Sequence, residues 1–396
     1  MKLRFLGGAG EVGRSAILVN DSLLLDYGML AGTPPQFPVD VPEPDAIVVS
    51  HGHLDHAGAV PSLLSGTDRP PIHWTPPTRE LALTVARDTL KLHGGTFRCP
   101  FTETDVQRVT QVSETHGYGE TFEAAGHEVT LYNAGHIPGS AHVLVDEAGG
   151  SPASGRTASG DDGDTRLFYT GDFHTDDQRL VAGTTARPDA DVVICESTYS
   201  DVEHDPRADV ESRFVESVET TLWDGGSVIV PAFAIGRTQE LLLVCEANDI
   251  PCYVDGMGKS VTEMLRRYPA FVRDADAFRR AKSHARFVTG RNGQRERIVD
   301  QPAAIVTTSG MLSGGPAMTY IPLIRSNPTN KITLTGYQVE GTPGRDLLET
   351  GSAEIDGRML SVSARVEQYD FSAHADRSGL RSLLDEYRDA EILVNH

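Results

Sequence analysis

The sequence predicts an α/β protein in two parts: a β-rich first half and a unit in which strands and helices alternate. Three observations lead there. Short apolar runs bounded by turn residues recur through roughly the first 200 positions. Beyond them the apolar period lengthens to that of helices set between strands. The chain also has 396 residues, more than one average domain, so two domains or one domain with a large insertion is expected. The early runs are Ala16–Val19, Ser22–Leu25, Ala46–Ser50, Val129–Leu131, Val143–Val145, Arg166–Tyr169 and Val192–Cys195. Their length and their Val, Ile and Leu content suit strands. Arg207–Leu222 then has the spacing of an amphipathic helix, Gly225-Gly226 ends it, and Ser227–Val230 reads as a strand. Helices at Thr238–Glu246 and Ser260–Arg267 and strands at Cys252–Val254, Ala303–Thr307 and Lys331–Thr335 continue the alternation, which implies a parallel sheet layered with helices. Asp146–Thr165, dominated by Gly, Ser, Ala and Asp, is expected to be a solvated, mobile loop.

The chain carries 35 basic and 56 acidic residues, a formal charge of −21. No run of about 18 apolar residues is present to cross a membrane. Met1–Gly10 lacks the apolar stretch of a signal peptide, so a cytoplasmic protein without a membrane partner is expected. An acidic chain should repel nucleic acid. The basic residues are lopsided, however: only Lys2, Lys91, Lys259, Lys282 and Lys331 are lysine and the rest are arginine. An acid-rich, lysine-poor surface suits concentrated salt, where the screening length falls to about 3 Å. The expectation is a halophilic source, and the net charge then says little about partners. Cys99, Cys195, Cys245 and Cys252 are scattered without a C-x-x-C pair, so buried thiols are expected rather than disulfides or a zinc ribbon.

The strongest chemical signal is His51-Gly52-His53-Leu54-Asp55-His56, directly after the run Ala46–Ser50. It gathers three of the 14 histidines and a carboxylate into six residues, a donor set that suits zinc or a similar divalent ion. These side chains cannot all reach one point. Residues 51 and 53 face one way and 55 and 56 another, which suggests two ions. The missing ligands should stand at other strand ends. His136 in Asn133-Ala134-Gly135-His136, Asp172 in Thr170-Gly171-Asp172 and His396 after Ile392–Val394 all fit. Each taken alone reads equally well as a packing residue. Gly52 is expected to keep the backbone clear at a crowded site, and Ala57-Gly58-Ala59 to let a helix start close behind it.

With these residues in view, the chain resembles the metallo-β-lactamase fold superfamily, whose best-known motif is H-x-H-x-D-H. Asp26, in Leu24-Leu25-Asp26-Tyr27-Gly28, matches the early aspartate that orients ligands from behind. Further matches point to the β-CASP nucleases. Glu196 in Cys195-Glu196-Ser197-Thr198-Tyr199 looks like their motif A, His374 in Phe371-Ser372-Ala373-His374-Ala375-Asp376 like motif B, and His396 like motif C. Pro231–Glu240, Gly310–Pro316 and Thr335–Arg345 are similar to β-CASP segments as well. The matches run from Gly7 to His396.

The resemblance implies a sandwich of two sheets between helices over 1–200 and 369–396, with an α/β β-CASP domain inserted at 201–368. It implies two zinc ions, the first held by His51, His53 and His136, the second by Asp55, His56 and His396, with Asp172 bridging both. It makes His374 the general acid and Glu196 the residue that orients it; these two and Asp55 form the catalytic group. The implied reaction is hydrolysis of RNA to a 3′-hydroxyl and a 5′-phosphate. The chain looks like the short archaeal homologues of the cleavage and polyadenylation specificity factor or the catalytic core of ribonuclease J, which implies a single-stranded RNA partner and a homodimer. Arg237 and Arg345 each follow a glycine and suit phosphate oxygens; Gly314 and Gly315 offer backbone N–H groups, and Ser309 and Ser313 hydroxyls. The plain alternative for these six is a surface ion pair or a tight turn. Lys259 is read as a domain-packing residue or a weak phosphate contact and His174 as a residue of the cleft rim; His142, His73, His93, His116, His127, His204 and His284 are read as surface or packing residues, and Trp74 and Trp223 are too few for a base-stacking platform.

Three competing readings are weaker. DNA-processing relatives usually lack a motif C histidine. A small-molecule hydrolase would not need the β-CASP segments. A non-catalytic scaffold subunit would have lost ligands, whereas all seven positions are filled. Relatives continue past motif C, so a truncated chain is expected.

Overall fold

The computed structural model describes residues 1–32, 34–147 and 165–396. They group into two units: Met1–Asp177 with Gly183–Glu203 and His374–His396, and Gln178–Ala182 with His204–Ala373.

The first unit contains two six-stranded sheets. One runs Leu3–Gly7, Ala16–Val19, Leu23–Leu25, Ala46–Val48, Ile72–Trp74, Ser113–Thr115; the other runs Glu391–Val394, Val192–Cys195, Arg166–Tyr169, Ala141–Glu147, His127–Asn133, Thr121–Ala124. Strand alternation sorts the side chains into layers. Leu23, Leu25, Ala46 and Val48 meet Val129, Leu131, Val143, Val145 and Leu167 in the core between the sheets. Leu24, Ile47 and Ile72 point the other way, onto Ala82, Leu83 and Ala86 of the helix Pro76–His93. Phe168 and Val193 on the outer face of the second sheet meet Leu380 and Leu383 of the helix Arg377–Leu384. The layers are therefore helix, sheet, sheet, helix.

The early strands fall within a residue or two of the apolar runs. Helix Pro76–His93 escapes the apolar pattern because its buried stripe is narrow and broken by Thr78 and Thr89. Its start is nevertheless written in turn chemistry: Thr75 accepts from Thr78 N (3.4 Å) and Pro76-Pro77 opens the first turn. Most of the loop expected over 146–165, namely 148–164, lies outside the described residues. Asp146 and Glu147 instead complete the strand Ala141–Glu147, where Asp146 pairs with Arg166 and binds its Nε at 2.5 Å. The pairing partner outweighs the low strand propensity of aspartate.

The second unit holds a parallel sheet in the order Arg286–Phe287, Cys252–Asp255, Ala304–Thr307, Val228–Pro231, Lys331–Leu334, Arg365–Gln368. Helices Arg207–Trp223, Arg237–Ala247 and Gly258–Leu265 are among those that connect it, matching the expected alternation. The strands Cys252–Asp255, Ala304–Thr307 and Val228–Pro231 are buried throughout, as a sheet covered on both faces requires. All four cysteines are buried and free. Among the described residues no helix is long and apolar enough to cross a membrane.

Candidate metal centre

Strand direction brings the ligand-type residues of the first unit to one end of the second sheet. Arg166–Tyr169, Val192–Cys195 and Glu391–Val394 are parallel neighbours, so Asp172, Glu196 and His396 leave the sheet at the same end. His127–Asn133 runs antiparallel to Ala141–Glu147, which runs antiparallel to Arg166–Tyr169; His136 therefore arrives at that end too. The first sheet contributes the motif that follows Ala46–Val48. Here the helix begins earlier than expected: Leu54–Ala57 is already helical, so Asp55 and His56 occupy its first turn while His51 and His53 stand in the extended segment before it. That break in backbone direction divides the motif into two pairs. Gly52 is required, because a Cβ there would lie 2.4 Å from the Leu81 Cβ.

Two groups of donors result, His51–His53–His136–Asp172 and Asp55–His56–Asp172–His396, each with its ligand atoms within 4.8 Å of one another. Asp172 belongs to both. Its Oδ2 lies 3.4 Å from His51 Nε2 and 3.9 Å from His136 Nε2, while its Oδ1 lies 3.2 Å from His56 Nε2 and 3.7 Å from His396 Nδ1. His53 Nδ1 stands 3.0 Å from His136 Nε2, and His396 Nε2 stands 3.3 Å from Asp55 Oδ2. His51, His56 and Asp172 are essentially sealed from solvent, yet His51 Nε2, His56 Nε2 and Asp172 Oδ1 make no hydrogen bond. Unmet buried groups are costly, and three aimed at shared points among imidazoles and carboxylates fit divalent cations.

Protons are divided among these groups: burial opposes charge on the imidazoles, but Asp172 and Asp26 draw His56 well above its ordinary value, and Asp172 and Asp55 raise His396. Burial and the neighbouring His56 hold the His51 imidazole well below its ordinary value, so it is a neutral donor. Burial opposes ionisation of Asp172, but His396, His56 and His51 outweigh it and keep the carboxylate well below its usual range. Asp55 is likewise drawn down against its burial by His396 and His56.

Asp26 stands behind His56. One oxygen accepts from Ser50 N at 2.7 Å; the other lies 2.7 Å from each of Ser50 Oγ, Tyr169 Oη and His56 Nδ1. Asp26 holds φ +57, a left-handed conformation that Asp and Asn tolerate better than most residues. Ser50 and Tyr169 had no place among the expected site residues. The available signal was position: each lies at or just past the end of an apolar run that leads into a ligand motif. Thr198 was missed as well; its Oγ1 is 3.1 Å from His396 Nδ1, and nothing in Cys195–Tyr199 marks it out.

Glu196 and His374 meet as expected. Glu196 accepts from Phe173 N at 2.7 Å, and its two oxygens lie 3.2 and 3.0 Å from His374 Nδ1. His374 Nε2 then faces Asp172 Oδ2 at 4.0 Å. Burial pulls this imidazole down, but Glu196 and Asp172 carry it up to about 9. His142 is no ligand: its ring is buried between Thr170 O (2.8 Å) and Thr184 Oγ1 (2.9 Å).

The remaining expected residues lie in the second unit, on loops at the carboxyl ends of parallel strands. There Pro231–Arg237, Ser309–Gly315 and Gly336–Arg345 meet. A Cβ on Gly310 would press on Phe233 N at 3.1 Å, Gly344 N donates to Met311 O at 3.1 Å, and a Cβ on Gly336 would touch the Arg237 guanidinium at 2.9 Å. Ser309 Oγ accepts from Ser313 N at 2.9 Å. Gly315 has φ +70 and sits against Thr308 O, so a tight turn demands it, whereas the Cα of Gly314 faces open space. Arg345 is engaged by Glu349 one turn on, at 2.6 Å. Lys259 is a packing residue, bound to Asp255 Oδ1 at 3.1 Å.

Family models match the chain in three segments: a Beta-lactamase superfamily domain over 19–221, a Beta-Casp domain over 238–347, and a Zn-dependent metallo-hydrolase RNA specificity domain over 359–396. The chain is 36% identical to RNase aCSPSF2 of Saccharolobus solfataricus, over 99% of this chain and 78% of that protein. It is 30% identical to the Probable RNase MJ4 of Methanocaldococcus jannaschii, over 100% of this chain and 93% of that protein. It is 33% identical to the Transcription termination factor FttA of Pyrococcus abyssi, over 98% of this chain and 65% of that protein. Donor groups suited to divalent metal, the layered sheets and these matches agree, and the chain belongs to the Beta-Casp family of metallo-β-lactamase-fold, metal-dependent hydrolases.

Proposed function

We propose that this protein is a ribonuclease that hydrolyses phosphodiester bonds of single-stranded RNA with two zinc ions. The observation that carries the reading is Asp172, whose two oxygens are divided between two sets of imidazoles that include unpartnered, buried ring nitrogens. His51, His53 and His136 would hold one ion, Asp55, His56 and His396 the other, and Asp172 both. When bound, such a pair supplies an acidified water and a Lewis acid for the scissile phosphate. The likeness to the two RNases above supports RNA as the substrate.

The chain's own residues do the rest. Asp26 fixes the His56 ring through Nδ1 and leaves Nε2 free for metal. Glu196 holds the His374 ring by Nδ1 and favours its charged form. His374 then presents a proton on Nε2, where it can pass to the departing 3′-oxygen, leaving a 3′-hydroxyl and a 5′-phosphate. Arg237, Arg345, Ser309, Ser313, Gly314 and Gly315 are assigned to phosphate binding. Their loops meet at the carboxyl ends of parallel strands, the usual ligand side of such sheets; Arg345 would exchange Glu349 for phosphate. In this reading 1–200 with 369–396 is the metallo-β-lactamase domain and 201–368 the β-CASP domain, a division supported by the grouping of the chain into two units.

The test is body-labelled single-stranded RNA bearing a 5′-monophosphate or a 5′-triphosphate, incubated in high KCl with zinc. Mononucleotides from the monophosphate form alone mean a 5′-exonuclease, and discrete internal fragments from both mean an endonuclease. No cleavage of either by zinc-loaded protein refutes the reading.

A further inference from the structure

A second gathering of ligand-type side chains lies in the first unit, at the edge of the first sheet. His73, in Ile72–Trp74, is paired in parallel register with Glu114, in Ser113–Thr115, and His116 follows one residue beyond that strand. His73 Nδ1 is 3.0 Å from His116 Nε2 and 3.8 Å from Glu114 Oε2. The nitrogen spacing equals that of His53 and His136 in the metal centre. Both rings are buried and stack with Phe122 of the second sheet's strand Thr121–Ala124, at 4.9 and 3.6 Å. One proton serves the contact between the rings when no ion is bound; His73 Nε2 and His116 Nδ1 make no hydrogen bond, and Glu120 Oε1 stands 3.7 Å from the latter.

We propose that His73, His116 and Glu114 form a further site for a divalent transition metal, clamping the edge of the first sheet beside the strand that carries Phe122. Two imidazoles and a carboxylate are a zinc-type donor set. With an ion present both facing nitrogens are lone-pair donors, and His116 Nδ1–H points at Glu120. That is the carboxylate–histidine–metal relation that orients a ligand, with the carboxylate 3.7 Å from the ring nitrogen here against 2.7 Å between Asp26 and His56 in the main centre. Glu114 and Glu120 have side chains 58% and 57% exposed, so the ion has an entry path and room for water ligands. Burial also keeps both imidazoles below their ordinary value, hence neutral and able to bind metal.

The experiment counts metal in the full chain after stripping with chelator and dialysis against micromolar free zinc, with circular dichroism to confirm folding. Wild type should hold one equivalent more than Glu114→Gln/His116→Gln. Glu120→Gln alters only an exposed carboxylate that touches no ion, and its remaining oxygen can still accept from Gly117 N. It should weaken that extra equivalent about 10–100-fold. Equal zinc in wild type and a folded double variant overturns the proposal. If the double variant does not fold, unchanged zinc affinity in Glu120→Gln overturns it alone. Neither readout uses RNA, so failure here is distinct from failure of the ribonuclease reading.

Discussion

Asp26→Asn tests whether the carboxylate behind His56 builds the metal centre. Asparagine tolerates φ +57 as readily as aspartate, so the backbone is not perturbed. The change falls on hydrogen bonding. Asp26 Oδ2 faces Ser50 Oγ, Tyr169 Oη and His56 Nδ1, each at 2.7 Å, and Oδ1 faces Ser50 N at 2.7 Å. An amide NH2 placed at either oxygen opposes a donor. With NH2 at the Oδ2 position, Ser50 Oγ can turn to His51 Nδ1 and Tyr169 Oη to Ser15 Oγ, each 3.1 Å away, which leaves the His56 Nδ1–H opposed by a donor. One stranded buried donor costs about 1–3 kcal/mol, so the urea midpoint should fall. His56 loses its anchor as well, and zinc affinity of its group should drop about 10–100-fold. The assay is RNA cleavage as a function of free zinc: the curve should shift to higher zinc and recover substantially at saturation. A curve superimposable on wild type would refute the argument that Asp26 positions a ligand.

Other expectations follow from the same geometry. His374→Gln should lower kcat about 10²–10⁴-fold with zinc content unchanged; lost zinc instead would make His374 a ligand rather than the acid. Burial depresses His142 to about 3, below its unfolded value, so the unfolded chain binds the extra proton between those values. Stability of the chelated protein should therefore be complete above about pH 6.5 and decline as pH falls toward 3, by up to about 1.4 kcal/mol per pH unit from this residue. His142→Gln should show a shallower decline in urea midpoints than wild type, and parallel slopes would refute the assignment. The acid-rich, lysine-poor composition predicts a melting temperature that rises from low to molar KCl; a flat profile would remove the halophilic reading.

The fold was legible where one physical rule dominates. The strands around Leu25, Val48 and Tyr169 are buried apolar runs closed by turn residues, and their ends announce the ligands. The alternation after residue 200 gave the parallel sheet directly. Helix Pro76–His93 was hidden because its buried stripe is interrupted by threonines, and Asp146–Glu147 because sheet pairing overrode a loop-like composition. In the site, ligands are dense and local in His51–His56, whereas Asp172, His136 and His396 are joined only by strand direction, which one-dimensional spacing does not report. The supporting contacts were least visible: Tyr169 reads as a core aromatic, and nothing short of the folded sheet shows its hydroxyl on Asp26.

The central claim is tested most directly by end-group analysis of RNA cut by the zinc-loaded chain, beside Asp55→Ala/His56→Ala and a chelated control. The account predicts products with a 3′-hydroxyl and a 5′-phosphate from the wild type, and intact RNA in both controls. Cleavage that survives in Asp55→Ala/His56→Ala, or products with a 2′,3′-cyclic phosphate, would contradict it.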